Sequence, residues 1–212
     1  MYYNGSVAIE FFRRATAAPR SLGVLPAAFN PPTRAHLALA RAALGTVDEV
    51  LFVLPRKFPH KPYEGATFDE RVEMLLAATQ QEPCFSIAAS ERGLFVDIAE
   101  ECREAYGEEV RLLFICGRDA AERIVGWDYG EPKAFHKMIA WFELLVAPRD
   151  GHYQPPAEIQ DRVRILEIDD DIGFISATEV RERLRTGGDW EHFVPSEIVP
   201  LVRAIYGSPR FM

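Results

Sequence analysis

Long apolar runs, an excess of basic charge and the usual signatures of metal or covalent chemistry are all missing from this sequence. No stretch approaches the ~20 apolar residues that a membrane-spanning helix needs, and the amino terminus has no basic region followed by an apolar one. Acidic residues outnumber basic ones by 32 to 24, for a formal net charge of -8. That balance argues against broad electrostatic binding to nucleic acid or anionic membranes, although a local basic pocket remains open. The three cysteines, Cys84, Cys102 and Cys116, share no CxxC spacing and fall in segments that read as core strand or helix, so reduced structural thiols are expected. Walker-type GxxxxGK(S/T), GxGxxG and HExxH are absent, and the five histidines show no metal-ligand spacing, so no protein metal site is expected. There is no GxSxG elbow, and no serine or cysteine is visibly paired with a base. Neither an internal repeat nor a low-complexity tract is present. These absences point to a soluble, cytoplasmic protein.

What is there is an alternation of apolar strands and amphipathic helices, long enough at 212 residues for one well-buried α/β core. The chain centres on Ala27-Ala28-Phe29-Asn30-Pro31-Pro32-Thr33-Arg34-Ala35-His36-Leu37, between the apolar Leu22-Gly23-Val24-Leu25 and the helix formers from Leu37 to Leu44, which end at Gly45. Two prolines prevent either element from continuing, and Thr33 suits an N-cap, which puts His36 in the first helical turn beside unpaired backbone N–H groups. Such a helix start attracts phosphate, and an imidazole there can donate to a developing oxyanion. A merely capped, solvated helix end is the other reading of the same residues.

Upstream, residues 1–20 read as an extension ahead of the core, with a short amphipathic helix over Ala8–Arg14. Downstream, Glu49–Leu54 is a second continuous apolar strand. Pro55 to Phe68 is a loop at its carboxyl end holding Arg56, Lys57, His60 and Lys61, which can handle an anion or simply be solvated. A helix is expected over 69–79, a strand over 85–87, a helix over 95–106, and a buried strand from Val110 to Cys116 topped by Gly117-Arg118-Asp119. Gly117 lets a ligand approach the backbone closely, while Asp119 can accept from a sugar or cap a helix over 120–125. Further strands are expected over 141–146, with an exit turn Pro148-Arg149-Asp150-Gly151, and over 164–168. Ile175-Ser176-Ala177-Thr178-Glu179-Val180-Arg181 then opens a helix at which hydroxyls, free N–H groups and the Arg181 guanidinium can converge on one anion, with capping plus a surface arginine as the alternative. A final helix follows Val194-Pro195. The fold class is therefore α/β, a doubly wound and mainly parallel sheet over residues 21–212, with a small C-terminal helical part from about 176.

The order of these motifs resembles the nucleotidyltransferase superfamily, and within it the bacterial nicotinate mononucleotide adenylyltransferases, over about residues 21–207. Phe29-Asn30-Pro31 and Thr33-x-x-His36 are similar to the FDP and (H/T)xGH parts of that family's GGTFDPxHxGH turn, whereas Pro26, Ala27, Ala28 and Ala35 stand where it has other residues, glycines among them. Pro59-His60-Lys61 resembles its Pro-His-Lys/Arg loop, Gly117-Arg118-Asp119 with Trp127 its GxD and tryptophan, and Arg149-Asp150-Gly151 its Arg-Pro-Gly turn. Ile175–Leu184 is similar to its ISxTxxR segment.

The resemblance implies a Rossmann-like fold and attack by a mononucleotide phosphate on the α-phosphorus of ATP, with magnesium held mainly by the ATP phosphates and no protein nucleophile. It implies that His36 and Thr33 act on the ATP phosphates, that Ser176, Thr178 and Arg181 hold the triphosphate, and that Phe29, Asn30, Gly117 and Asp119 complete the ATP site. The acceptor would meet Lys61, Trp127, Arg149, Phe95 and Asp97. In place of two family threonines stand Val96 and Ala99, with Asp97 between them, a pattern that predicts nicotinamide mononucleotide or a non-pyridine acceptor over nicotinate mononucleotide. Another phosphorylated acceptor, CTP in place of ATP, and a nucleotide-binding protein without catalysis are the alternatives. The partners implied are ATP and a mononucleotide, with no nucleic acid and no membrane.

Overall fold

The computed structural model describes residues 9–57, 63–126, 134–148, 153–168, 172 and 175–211. Its strands are β1 (Glu10–Arg13), β2 (Ser21–Pro26), β3 (Glu49–Pro55), β4 (Phe85–Ser90), β5 (Arg111–Gly117), β6 (Glu143–Ala147) and β7 (Val163–Ile165). They form one sheet in the order β1-β4-β3-β2-β5-β6-β7. Every pairing from β4 to β7 is parallel, and only β1 runs antiparallel, on the free edge of β4. A parallel strand covered on both faces has no polar side, which is why β3, Glu-Val-Leu-Phe-Val-Leu-Pro, is buried along its whole length.

The helices are α1 (Arg34–Ala43), α2 (Phe68–Ala78), α3 (Phe95–Tyr106), α4 (Arg118–Gly126), α5 (Ala134–Met138), α6 (Ala177–Thr186) and α7 (Val199–Tyr206). Leu37, Ala40 and Ala43 of α1 and Val72 and Leu75 of α2 pack on one face of the sheet. Ile98, Ala99 and Cys102 of α3 and Ala121 and Ile124 of α4 cover the other. Because the chain winds outward from β2 to β4 and then returns to β5, the strand order reverses between β2 and β5, and their carboxyl ends part to leave a crevice. A third apolar cluster joins Met74 and Ala78 of α2 to Val180, Trp190, Phe193, Val202 and Ile205, so the C-terminal helices are pinned to α2.

Four expectations are corrected here. The segment foreseen as a helix over 8–14 is strand β1, with a bulge between Phe11 and Arg13. The open edge of β4 supplies hydrogen-bond partners that a short isolated helix lacks. Arg13 donates to the Thr79 carbonyl (2.9 Å) and hydroxyl (2.8 Å) and so closes the C-terminus of α2. The last strand covers only 163–165, and Trp141 lies in a 3-10 turn (Ile139–Trp141) ahead of β6 rather than in it. Of the thiols, Cys102 and Cys116 are buried as expected, but Cys84 is exposed in the turn before β4. Burial pushes the Cys116 thiol up to about 12, and an unionised thiol is a poor nucleophile.

One buried group is costly. Glu101 of α3 is 1% exposed, and neither of its carboxylate oxygens has a hydrogen-bond partner. Burial pushes this carboxyl above its ordinary value, against the weaker pull of Arg92. The folded state thus holds a proton that the unfolded chain releases, and stability falls as pH rises from the unfolded value of about 4.3 through the raised native one. Glu101→Gln removes that linkage. It is expected to melt higher than the parent at pH 8, by ~2–4 °C if the gain is ~1 kcal/mol, with a smaller difference at pH 5. Calorimetric scans at the two pH values check this, and an equal difference at both would rule out a titrating Glu101.

Candidate active site

A pocket of about 480 Å³ opens at the carboxyl edge of the sheet where the strand order reverses. Its floor is the ends of β2, β5 and β6, including Pro26, Cys116, Gly117 and Ala147. Thr33, Ala35 and His36 at the start of α1, and Ser176 and Ala177 at the start of α6, wall one side. Gly93, Leu94 and Phe95 before and at the start of α3, with Ala120, Arg123 and Ile124 of α4, wall the other. The lining is mostly apolar, so the few polar groups on it act with little competition from water.

Thr33 is the N-cap of α1, and His36 is the third residue of the helix. The imidazole Nδ1 accepts the Thr33 backbone N–H at 3.0 Å and lies 2.8 Å from Thr33 Oγ1. That amide can only donate, so it assigns Nδ1 as the acceptor, and the neutral ring carries its proton on Nε2. His36 therefore takes the place of Glu or Gln in a capping box, with its ring proton on Nε2. The Phe29 ring stands edge-on to the imidazole at 5.0 Å and restrains it. At the second helix, Ser176 caps α6 by accepting the Glu179 N–H at 3.1 Å. The first N–H groups of α1 and α6 have no intrahelical acceptors, so two positive helix ends face one pocket.

The turn between β2 and α1 is held by two arginines. Arg71 of α2, 2% exposed, donates to the Ala28 carbonyl at 2.9 Å. Arg181 of α6 donates to the Asn30 carbonyl at 2.6 Å, to the Ala177 carbonyl at 3.1 Å and to Thr178 Oγ1 at 3.3 Å. Between them Phe29 has a φ of 48°, in the left-handed region that costs a non-glycine residue ~1–3 kcal/mol. Two hydrogen bonds from charged donors, at ~1.5–3 kcal/mol each, are enough to offset it. The turn is thus held with Pro26, Ala27 and Ala35 at the positions where the resembling family has glycines, and Ala27, Ala28 and Ala35 line the pocket.

The Asn30 side chain is a buried anchor. Its Nδ2 donates to the Glu64 carbonyl at 2.9 Å, its Oδ1 accepts the Ala66 N–H at 3.1 Å, and the Tyr206 hydroxyl also donates to Oδ1. Gly65 passes so close that a Cβ there would come within 2.0 Å of Asn30 Nδ2, at a φ of 140°. Gly65→Ala is accordingly expected to cost more than ~1 kcal/mol, read as a lower urea midpoint at unchanged slope. An unchanged midpoint would mean that Asn30 does not hold this turn.

Of the sequence candidates, Thr33, His36, Gly117, Ser176 and Phe95 meet on one pocket. A Cβ at Gly117 would meet nothing within 4 Å, since its open side is the pocket. Phe29 and Asn30 are 1% and 3% exposed and support the turn from behind. Thr178 and Arg181 tie α6 to that turn, and Asp119 lies in the first turn of α4 outside the pocket lining. Lys61, Trp127 and Arg149 lie outside the described residues, as do His60, Asp150 and Gly151. The Asp97 carboxylate pairs with Arg92 at 3.0 Å, and neither it, Val96 nor the fully buried Ala99 is among the residues that line the pocket. Arg71 and Arg123 are the residues that sequence reading missed. Nothing local marks which helical arginine will reach the turn or the pocket, and only the strand order brings α2 and α4 to this edge.

A cytidylyltransferase-like family model matches residues 24–183. Among curated proteins, the chain is 30% identical over 205 residues to a probable nicotinate-nucleotide adenylyltransferase of Gloeobacter violaceus, covering 89% of this chain and 97% of that one. It is 29% identical over 203 residues to the protein of the same name from Moorella thermoacetica, covering 88% and 90%. Among solved structures, the fold is similar to that of a Plasmodium falciparum nicotinic acid mononucleotide adenylyltransferase complexed with APC. That match has a TM-score of 0.68 at 18% identity and covers 91% of this chain and 98% of that one. The same enzyme complexed with NaAD superposes with a TM-score of 0.66.

Proposed function

We infer that this chain, which belongs to the cytidylyltransferase-like family, transfers the adenylyl group of ATP to the phosphate of nicotinate mononucleotide, forming a dinucleotide for NAD biosynthesis and releasing pyrophosphate. The observation that carries this is the convergence of the α1 and α6 N-termini, with the Nε2 donor of His36, on one crevice at the strand-order reversal. The names of the relatives, nicotinate-nucleotide adenylyltransferases across nearly their whole length, support the same acceptor.

The chemistry needs two anions brought together and charge on the transferring phosphoryl group stabilised. The helix ends at Thr33 and Ser176 and the Ser176 hydroxyl bind the triphosphate, His36 Nε2 donates to the α-phosphate as it gains charge, and the apolar lining excludes water. The acceptor phosphate supplies the attacking oxygen, pyrophosphate leaves with the electron pair of the cleaved P–O bond, and no covalent enzyme intermediate forms. Magnesium enters this proposal on the triphosphate, where it would neutralise the leaving pyrophosphate. The hydroxyl oxygen of Ser176 on the pocket wall suits such a hard ion that keeps much of its water. Because ATP and pyridine mononucleotides are cytoplasmic metabolites, the same reading places the protein in the cytoplasm.

The test is incubation with ATP or CTP, magnesium and a panel of mononucleotides, scoring pyrophosphate and the dinucleotide formed. Dinucleotide from ATP and nicotinate mononucleotide is expected. Product only from CTP, or only with an acceptor that is not a pyridine, would overturn the assignment while leaving the fold and family unchanged.

A further inference from the structure

We propose that Arg123 is the residue that selects the acceptor by its ring carboxylate, an inference that rests on the function proposed above. Nicotinate and nicotinamide mononucleotides share their phosphate and ribose, and differ only in a carboxylate against a neutral amide on the ring. A pocket can prefer the first only with a donor or cation at the ring end. Among the described residues that line the pocket, the cationic or imidazole side chains are His36 and Arg123, and no acidic side chain is among them.

These two side chains reach the pocket from opposite faces of the sheet. His36 comes with α1, whose buried side packs on one face, and Arg123 comes with α4, which packs on the other together with α3. The anion-binding helix ends, of α1 and α6, lie on the His36 side, so Arg123 stands apart from the triphosphate. Its neighbours on the lining are Leu94, Phe95, Ala120 and Ile124, apolar groups that suit the faces of a pyridine ring and have no side-chain donor to offer its carboxylate.

The guanidinium is also available. Arg123 donates through Nε to the Asp119 carbonyl one turn back in its own helix at 3.3 Å, which fixes the stem. The adjacent Glu122 is taken by Arg118 at 2.8 Å, and Asp97, the nearest acid of α3's first turn, by Arg92 at 3.0 Å. Among the described residues, Arg123 forms no ion pair. A planar guanidinium with its two Nη groups free can hold a carboxylate through paired bonds, which an amide cannot match.

The test is Arg123→Gln, at an exposed position where the fold is expected to hold, assayed with both mononucleotides at saturating ATP. The ring is remote from the reacting phosphate, so the loss is expected mainly in KM. For nicotinate mononucleotide kcat/KM should fall by about 10- to 100-fold, the scale of one charge-assisted interaction, with the nicotinamide form and the KM for ATP changed by less than about threefold. Calorimetric binding of nicotinate mononucleotide to parent and variant should show the same ratio without turnover. If the variant keeps the parent's preference, or loses both acceptors equally, or loses ATP instead, the inference is overturned. A parent that binds and converts neither mononucleotide overturns the functional reading, and this inference with it.

Discussion

Replacing His36 by alanine is expected to lower turnover by about 100- to 1000-fold, the usual loss on removing one well-placed donor to transition-state charge. The donor is identified by its other side: because Nδ1 is held by the Thr33 amide, the proton sits on Nε2. The same bond means that the alanine variant also loses half of a helix cap, which costs ~1 kcal/mol and lowers its melting temperature a little. His36→Gln separates the two effects. Glutamine at this helix position can accept the Thr33 N–H and restore the cap, yet its amide cannot keep that bond and reach the phosphate as imidazole does. Parent-like melting with turnover still depressed by more than tenfold is therefore expected of the glutamine variant. Turnover within threefold of the parent in both variants would remove His36 from the chemistry.

The second large effect is expected at Arg181. One of its Nη atoms bridges the Asn30 and Ala177 carbonyls, and the other meets Thr178, so this side chain locks the turn before α1 to the start of α6. Both anion-binding helix ends depend on that register. Lysine has a single ammonium without the planar fork and cannot hold three acceptors in the same plane. Arg181→Lys should thus weaken ATP binding by about 10-fold or more, the equivalent of ~1.5–3 kcal/mol for a bond to a charged group. Isothermal titration with ATP reads this directly, and equal affinity would show that the two helix ends are set by other contacts. Arg71→Lys is a useful control, because it loosens the same turn at Ala28 without touching α6.

The legible parts of this protein were those whose signal is local. The continuous apolar runs of β2, β3 and β5 can only be strands buried on both faces, and α3 begins and ends at the residues that periodicity indicates. Thr33, His36 and Ser176 were found because capping chemistry at a helix start depends on residues within one turn of each other.

What could not be read depends on pairing across the chain. Strand β1 forms because β4 has a free edge 75 residues away, and no feature of Ala8–Arg14 carries that information. Asp97 looked like a charge in the acceptor pocket, and it is neutralised by an arginine five residues upstream that bends back onto it. The alanines at 27, 28 and 35 looked like the loss of a glycine turn, until Arg71 and Arg181, from helices far along the chain, proved to hold its carbonyls. The sequence alone therefore determined the α/β class, the principal strands and helices, and the two capped helix ends that line the pocket. Only the tertiary structure decided which arginines clamp the turn, which one lines the pocket, and which acidic group is paired away from it, because side-chain direction follows from packing and strand order, which local periodicity does not encode.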